Sequence, residues 1–444
     1  MTDSHEPIRV CLREWSREPD RVGTFLTGVT LPEDASTQAL LQRLDAQNKL
    51  RVVEYRRGLV IEATSFVGRI RLGPLEITVE PKLAGLPLLR LLRYAYGLRH
   101  LDVLTEADFA TTAHTFQDIL INELAREAEA LMARGLRREF VRREEPLGAL
   151  RGRIDVGRLA RSGGLASATL PCVFHERRED ALLNQVLRAG LALGARTTAD
   201  PSLRGRLGRL HGLLGETVSG ARLSGQMLQR ARRSLTRLTS AYQPALTLIG
   251  LLWENQGLDL EDGAGRVELP GFLFDMNRFF QALLSRFLGE NLPGYRLEDE
   301  HRLRGVFAYT PNYNPRGRRP PTARPDYVLW QGTRLAAVLD AKYRDLWTTP
   351  LPPEWLYQLA IYAVSQPEIR AATILYPHVG ATAREARIDV QGPVHGAANA
   401  VVILRPVDML ELDDVIGAVR GAAVNERYTL ARRLAFHSTT NTGQ

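Results

Sequence analysis

The sequence Arg-Pro-Asp-Tyr-Val-Leu-Trp-Gln-Gly-Thr-Arg-Leu-Ala-Ala-Val-Leu-Asp-Ala-Lys occupies residues 324–342. Two short apolar runs rich in β-forming residues flank the turn sequence Gln331-Gly332-Thr333, and this pattern predicts a β-hairpin. Folding the segment about the last turn residue places Asp326 opposite Asp340. Because the side chains of a strand alternate between its two faces, Lys342 should point the same way as Asp340. The hairpin is therefore expected to bring two carboxylates and one ammonium group together.

Two carboxylates that face each other across a hairpin repel, and a divalent cation between them would remove this cost. Oxygen ligands of this kind suit Mg²⁺, so Asp326 and Asp340 are candidate metal ligands, with the backbone carbonyl of Ala341 as a third. Lys342 could then orient or deprotonate a water molecule and offset negative charge that develops in a transition state. The simpler alternative is a surface hairpin with three solvated charges.

Lysine is rare in this chain, which gives Lys342 more weight. The 444 residues contain 58 basic side chains, and only Lys49, Lys82 and Lys342 among them are lysines. Arginine cannot release its proton at accessible pH, and its planar fork differs from a compact ammonium group. The presence of a lysine at this position, in a chain that otherwise uses arginine, favours a role that arginine cannot fill.

Two segments near the hairpin could serve the same site. A helix is predicted over residues 354–364, where Gln358 and Tyr362 share one face at a spacing of four residues. These side chains could steady the site or contact a substrate. The segment 311–325 is rich in proline and arginine, and it either contacts phosphates or forms a disordered surface loop. The candidate DNA-binding residues in this segment are Arg316, Arg318, Arg319 and Arg324.

The composition restricts the class of protein. A length of 444 residues predicts two or three domains, and 44% hydrophobic with 24% charged residues is ordinary for a globular chain. The formal charge of +8 favours a polyanionic partner. Two cysteines form neither a disulfide framework nor a zinc site. No apolar run long enough for a membrane span, no signal-peptide pattern and no Gly-Lys pair of a P-loop occurs, so we expect a cytoplasmic protein without its own nucleotide-hydrolysis motif.

Element patterns predict a multidomain α+β chain in three parts. Residues 1–105 are β-rich and are typical of a binding module, with a hairpin of strands at 66–72 and 75–79. Residues 106–265 are predicted to be mostly helical. Residues 266–444 begin with an amphipathic helix at 275–288 and continue with strands, the 354–364 helix and further strands, which is an α/β order.

The pattern Pro325-Asp326, Asp340-Ala-Lys342 and Gln358-x-x-x-Tyr362 resembles the core of the PD-(D/E)XK nucleases. Further motifs, in their order along the chain, make the whole sequence similar to the McrC family, the nuclease subunit of McrBC-type modification-dependent restriction systems. These motifs are Leu12-Arg-Glu-Trp15, Phe66-Val-Gly68, Glu80-Pro-Lys82, Arg134-Gly-Leu136, Leu150-Arg-Gly-Arg-Ile154, the segment 180–184, Asp275-Met-Asn277, Arg324-Pro-Asp326, Asp340-Ala-Lys342 and Leu375-Tyr-Pro377.

The resemblance implies a PD-(D/E)XK nuclease domain at 266–444 that cuts double-stranded, methylated DNA with Mg²⁺. It also implies that the N-terminal domain docks on a hexameric McrB-like AAA+ GTPase and stimulates GTP hydrolysis by that partner. The absence of a P-loop in this chain agrees with that division of labour. Cutting both strands needs two centres or sequential action, so a homodimer through the nuclease domain is a further expectation.

One residue departs from the family pattern, and two other functions stay open. The helix that contains Phe279-Phe280 often carries a glutamate next, and this chain has Gln281 there. The first alternative is a non-cleaving activator and assembly subunit of the AAA+ partner. The second is a stand-alone PD-(D/E)XK repair nuclease without a motor.

Overall fold

The computed structural model describes most of the chain and divides it into two compact units. The described residues are 8–18, 26–32, 34–83, 85–98, 116–161, 168–259, 266–268, 271–380, 382–391, 398–418 and 422–437. One unit combines Met1–Ala113 with Leu273–Gln444, and the other is His114–Phe272. The first and third predicted parts thus contribute to one unit, and the predicted boundaries at 105 and 265 stay a prediction. The fold class is multidomain α+β, as expected.

The N-terminal part of the first unit is built from short strands. Those that the structure describes are Ile8–Arg13, Arg17–Glu18, Leu26–Thr27, Leu50–Tyr55, Gly58–Ala63, Phe66–Leu72 and Leu75–Glu80. One sheet has the order Ile8–Arg13, Leu75–Glu80, Phe66–Leu72 and Gly271–Asp275. In a second sheet, Gly58–Ala63 pairs antiparallel with three others, which are Arg17–Glu18, Leu26–Thr27 and Leu50–Tyr55. The predicted hairpin at 66–79 is confirmed.

Among the described residues of this part, two helices accompany the strands, Ala35–Ala46 and Gly85–Tyr96. The first begins after Asp34, whose carboxylate accepts a hydrogen bond of 2.8 Å from the backbone amide of Thr37. This contact satisfies one of the free amides at the start of the helix.

The C-terminal part of the first unit contains a mixed six-stranded sheet. Its order is Arg296–Asp299, Tyr327–Gln331, Arg334–Ala341, Ala371–His378, Ala398–Asp408 and Ala386–Gln391. The first three strands are antiparallel, the next two pairings are parallel, and the last pairing is antiparallel. Its described helices are Met276–Asn291, Pro353–Val364, Met409–Gly417 and Ala422–Ala435.

Helices pack on both faces of this sheet. Pro353–Val364 joins a core with alternate residues of the hairpin, including Val328 and Val338. On the other face, Tyr327 donates a hydrogen bond of 2.7 Å from its hydroxyl to the backbone carbonyl of Gln281 in Met276–Asn291. The predicted apolar face of that helix is confirmed, since its five members are fully buried, namely Phe279, Phe280, Leu283, Leu284 and Phe287.

The second unit is mainly helical, as expected. Its described helices are Phe116–Arg134, Val156–Arg161, Leu182–Thr197, Pro201–Gly215, Gly225–Arg233 and Gln243–Asn255, with the 3₁₀ turn Ser240–Tyr242. It also contains an antiparallel sheet with the order Glu139–Leu147, Leu170–Arg178 and Arg153–Ile154, and a strand pair, Gly257–Asp259 with Arg266–Glu268. The sequence patterns did not predict these strands.

Two of the strands that the sequence patterns missed share a physical cause. Glu139–Leu147 and Ala386–Gln391 lie at sheet edges and are largely exposed, so they carry charged residues instead of an apolar alternation. None of the helices in the described part of the chain combines the length and the apolar content that a membrane span needs.

Candidate active site

The predicted hairpin forms, and its register brings the two aspartates together. Tyr327 pairs with Leu339, so the preceding residue Asp326 lies across from Asp340. The strands are joined at Gly332 and Thr333, and Gly332 has a φ of +62°, which glycine adopts without strain. The turn is one residue shorter than the predicted turn Gln331-Gly332-Thr333. A register shift at Leu329/Trp330 restores the predicted pairing of the residues beyond it.

Lys342 lies between the two carboxylates. Its Nζ is 2.8 Å from Asp340 Oδ2 and 3.8 Å from Asp326 Oδ2. The backbone amide of Ala341 donates a hydrogen bond of 2.8 Å to Asp326 Oδ2. The backbone amide of Lys342 donates to the Leu375 carbonyl at 3.0 Å, which fixes the strand end on the parallel neighbour. The carbonyl of Ala341 stays a predicted metal ligand.

Burial makes the two carboxylates unequal. The side chain of Asp340 is only 3% exposed, whereas that of Asp326 is 18% exposed. Asp340 Oδ1 is buried and has no hydrogen-bond partner. Burial, together with the nearby negative charge of Asp326, raises the pKa of Asp340 to about 6. Burial opposes the charge on Lys342, but the carboxylates of Asp340 and Asp326 outweigh it and raise the pKa of Lys342. The lysine is therefore protonated at neutral pH.

The helix Pro353–Val364 closes one side of this site. Gln358 Nε2 donates a hydrogen bond to the hydroxyl of Tyr362. Burial and the charge of Asp340 raise the pKa of Tyr362. The structure thus places both predicted helix residues at the site. It adds Trp355, whose ring centroid is 6.0 Å from Lys342 Nζ. The sequence signal for Trp355 is its position three residues before Gln358 on the same helix face.

Asp326 also lines an open cavity of about 420 Å³. Gln281, Ser285, Asp299 and Glu300 line the same cavity, and the hydroxyl of Ser285 donates to Asp299 Oδ1 at 2.8 Å. The position that departs from the family pattern therefore lies beside the first carboxylate. Within the described ranges, no group of three or more His, Cys, Asp or Glu side chains is arranged to hold a metal ion.

The four candidate arginines differ in their surroundings. Arg316, Arg318 and Arg319 are exposed in the segment before the hairpin. The guanidinium of Arg324 forms an ion pair with the carboxylate of Glu300, and its Nε donates to the Glu300 carbonyl at 3.2 Å. Arg324 is therefore engaged by a neighbouring acid, and the first three are better placed to meet phosphates. Their role in DNA binding stays a prediction.

The residue after Lys342 is held by the N-terminal part of the same unit. The hydroxyl of Tyr343 donates to Glu14 Oε1 at 2.9 Å, and the indole of Trp15 donates to the Tyr343 carbonyl at 2.9 Å. The backbone amide of Lys82 donates to the same Glu14 oxygen at 2.7 Å. Burial raises the pKa of Glu14 to about 7, and its Oε2 has no partner. Two of the family motifs, those at 12–15 and 80–82, therefore meet behind the site.

The chain is thus a multidomain α+β protein with a candidate oxygen-ligand metal centre on a mixed sheet. A family model described as McrBC 5-methylcytosine restriction system component matches residues 61–377, and the chain belongs to this family. This confirms the resemblance that the sequence motifs indicated. None of the curated proteins with which the sequence was compared matches it significantly.

The first of two similar solved structures shows the same fold. A chain in the half-complex from the tetradecameric assembly of Thermococcus gammatolerans McrB AAA+ hexamers with bound McrC is 21% identical, with a TM-score of 0.60 over 96% of this chain and 100% of that one. A chain of the cryo-EM structure of the Thermococcus gammatolerans McrBC complex is also 21% identical, with a TM-score of 0.45 over 65% of this chain and 89% of that one.

Proposed function

We propose that this chain is the nuclease subunit of a modification-dependent restriction complex and hydrolyses DNA phosphodiesters with Mg²⁺. The observation that carries the proposal is the convergence of Asp326, Asp340 and Lys342 at one end of the hairpin, with Lys342 Nζ within 4 Å of a carboxylate oxygen of each aspartate. A mixed sheet with helices on both faces is also what a PD-(D/E)XK nuclease domain requires.

The donor set fits magnesium. Asp340 Oδ1 is buried without a hydrogen-bond partner, and both side chains offer only oxygen ligands. We expect Asp326 and Asp340, with the carbonyl of Ala341, to hold the ion. Magnesium bound there would polarise the scissile phosphate and stabilise the leaving oxygen.

The protein's own side chains have separate tasks in this proposal. Lys342 carries its proton at neutral pH, because two carboxylates hold it charged. It therefore orients a water molecule and offsets negative charge on the phosphate, and it is a poor base. Gln358 and Tyr362, hydrogen-bonded to each other, steady the pocket wall or contact DNA. Asp340 acts in its ionised form, so protonation below its raised pKa of about 6 competes with Mg²⁺ binding.

The proposed partners follow from the family and from the similar structure. The family description names 5-methylcytosine, and the similar complex contains McrB AAA+ hexamers with bound McrC. We propose that the N-terminal part of this chain docks on such a hexamer and stimulates its GTP hydrolysis, while the hexamer selects and moves methylated double-stranded DNA. Two copies pairing through the nuclease domain would cut both strands.

Plasmid cleavage tests the proposal. The full chain with its AAA+ partner, GTP and Mg²⁺ should linearise methylated supercoiled DNA, and Asp340→Asn should abolish cutting while the stimulated GTPase rate persists. The matched control is Asp389→Asn, the same change at an exposed aspartate on the edge strand Ala386–Gln391. Wild-type rates of cutting by Asp340→Asn would refute the proposal. GTPase stimulation without cleavage by the wild type would favour an activator, and cutting of unmodified DNA by the chain alone would favour a stand-alone nuclease.

A further inference from the structure

The segment 302–325, which ends just before Asp326, is strongly basic. It contains six arginines and no acidic residue. Both ends of the segment are held beside the candidate site. Leu303 donates a backbone hydrogen bond of 2.9 Å to Ala323, and the amide of Glu300 donates to the carbonyl of Asp326 at 2.7 Å. The base of the loop therefore lies next to the first carboxylate.

The loop also exposes aromatic rings. The residues Phe307, Tyr309 and Tyr313 are 39%, 42% and 77% exposed. In the part of the chain that the structure describes, none of the three rings has an aromatic or cationic partner. Three exposed aromatic rings within seven residues of a basic loop mark a candidate ligand-binding surface.

Successive turns hold Tyr313 outward. Its backbone amide donates to the carbonyl of Thr310 at 3.0 Å, and the amide of Gly317 donates to the carbonyl of Asn314 at 3.0 Å. The side chain of Asn314 bridges forward, accepting from the amide of Arg318 at 2.9 Å and donating to its carbonyl at 2.8 Å. These hydrogen bonds give residues 310–318 a defined backbone conformation in which Tyr313 is exposed to solvent.

The charges on the loop are available. Within the described ranges, five of its arginines form no ion pair, namely Arg302, Arg304, Arg316, Arg318 and Arg319. Unpaired arginines beside exposed rings match one ligand chemistry, an anionic backbone that carries flat bases. In an intact duplex the faces of the bases are covered by their neighbours. A surface that met only duplex phosphates would need the arginines but not the rings.

We propose that the loop 302–319 binds DNA whose bases are locally unpaired, with Phe307, Tyr309 and Tyr313 stacking on exposed bases and the arginines holding the adjacent phosphates. The proposal rests on the proposed function, because it names the form of DNA that reaches the centre at Asp326. Strand opening next to the site would then select where the centre acts.

Binding without cleavage tests the loop. The full chain is titrated in EDTA against a fluorescent duplex with a mismatched bubble and against the same duplex fully paired. Tyr309→Leu/Tyr313→Leu should weaken bubble binding roughly 10-fold and paired-duplex binding much less, because stacking on exposed bases is lost. Tyr309→Phe/Tyr313→Phe keeps the rings and should bind both probes as the wild type does. Arg318→Gln/Arg319→Gln should weaken both probes and reduce the salt dependence.

Each other outcome overturns the inference. If the leucine variant binds both probes more weakly by the same factor, the loop contacts only the duplex backbone. If its affinity for both probes is unchanged, the rings do not contact DNA. A change in the sedimentation of the protein alone, with DNA affinity intact, would show that the rings contact a second copy of the chain. Because these measurements contain no Mg²⁺, a failure of DNA cleavage refutes the proposed function without altering the binding result.

Discussion

The hydroxyl of Tyr343 donates a hydrogen bond of 2.9 Å to Glu14 Oε1, and Tyr343 directly follows Lys342 in the chain. Glu14 is 1% exposed and belongs to the first family motif. A strand end in the N-terminal part thereby holds the backbone that carries the candidate catalytic lysine. Within this unit, the proposed docking region is hydrogen-bonded to the residue that follows the candidate catalytic lysine, so a change at Glu14 is expected to alter the position of Lys342.

We expect Glu14→Gln to make the folded unit less sensitive to pH. Burial raises the pKa of Glu14 from 4.5 to about 7. This shift makes the free energy of unfolding about 3 kcal/mol larger when the carboxyl is protonated than when it is ionised. Below pH 4.5 the carboxyl is protonated in both the folded and the unfolded chain. As pH rises through 7, the folded protein must hold a buried charge and this stability is lost. The variant should therefore melt at a higher temperature than the wild type at pH 8.

Thermal unfolding across pH 5 to 8 measures this difference. The difference in melting temperature between Glu14→Gln and the wild type should grow as the pH rises. Glu54→Gln, the same change at an exposed position of the strand Leu50–Tyr55, is the control and should show no such trend. A Glu14→Gln variant that is less stable than the wild type at pH 8 would mean that the ionised carboxylate is the stabilising form.

Sequence patterns predict the hairpin because its strands are central and apolar, so that composition and spacing carry the signal. They also predict that Asp326 lies across from Asp340, and the structure has this pairing because a register shift at Leu329/Trp330 offsets a turn one residue shorter than the pattern indicated. The contact of Glu14 with Tyr343 could not be predicted from the sequence, because the two residues are 329 positions apart and no local pattern relates them. The surroundings of Arg324 were missed for the same reason, since its partner Glu300 lies across a long loop.

Lys342→Arg should abolish most DNA cleavage even though the charge is kept. The ammonium group is held between two carboxylates, and the ring of Trp355 lies 6.0 Å away. The larger planar guanidinium cannot reproduce this geometry. The loss should be on the order of 10²–10³-fold in the single-turnover rate, as for the removal of one electrostatic contributor. A control change, Arg334→Lys at the exposed turn end of the same strand, should cut normally; near-wild-type cutting by Lys342→Arg would refute the assigned role.

Cleavage should fall as the pH drops through about 6. Asp340, whose pKa is raised to about 6 by burial and by Asp326, becomes protonated in this range and can no longer serve as a metal ligand. Because Mg²⁺ and the proton compete for the same carboxylate, a higher Mg²⁺ concentration should move the acid limb of the rate profile to lower pH. Single-turnover rates at two Mg²⁺ concentrations measure the shift. An acid limb that does not move with Mg²⁺ would assign it to another group.

Gln281→Glu should increase the affinity of the centre for Mg²⁺. Gln281 lines the same cavity as Asp326, so a carboxylate at this position adds negative charge beside the first ligand. The number of ligand charges sets cation affinity, and we expect the Mg²⁺ concentration for half-maximal cleavage to fall roughly 10-fold. The backbone carbonyl that accepts from Tyr327 is unchanged by this substitution, so the fold should persist. Gln331→Glu, at the far end of the strand Tyr327–Gln331, is the matched control. If both variants have the same Mg²⁺ requirement as the wild type, the side chain at position 281 does not lie close to the bound ion.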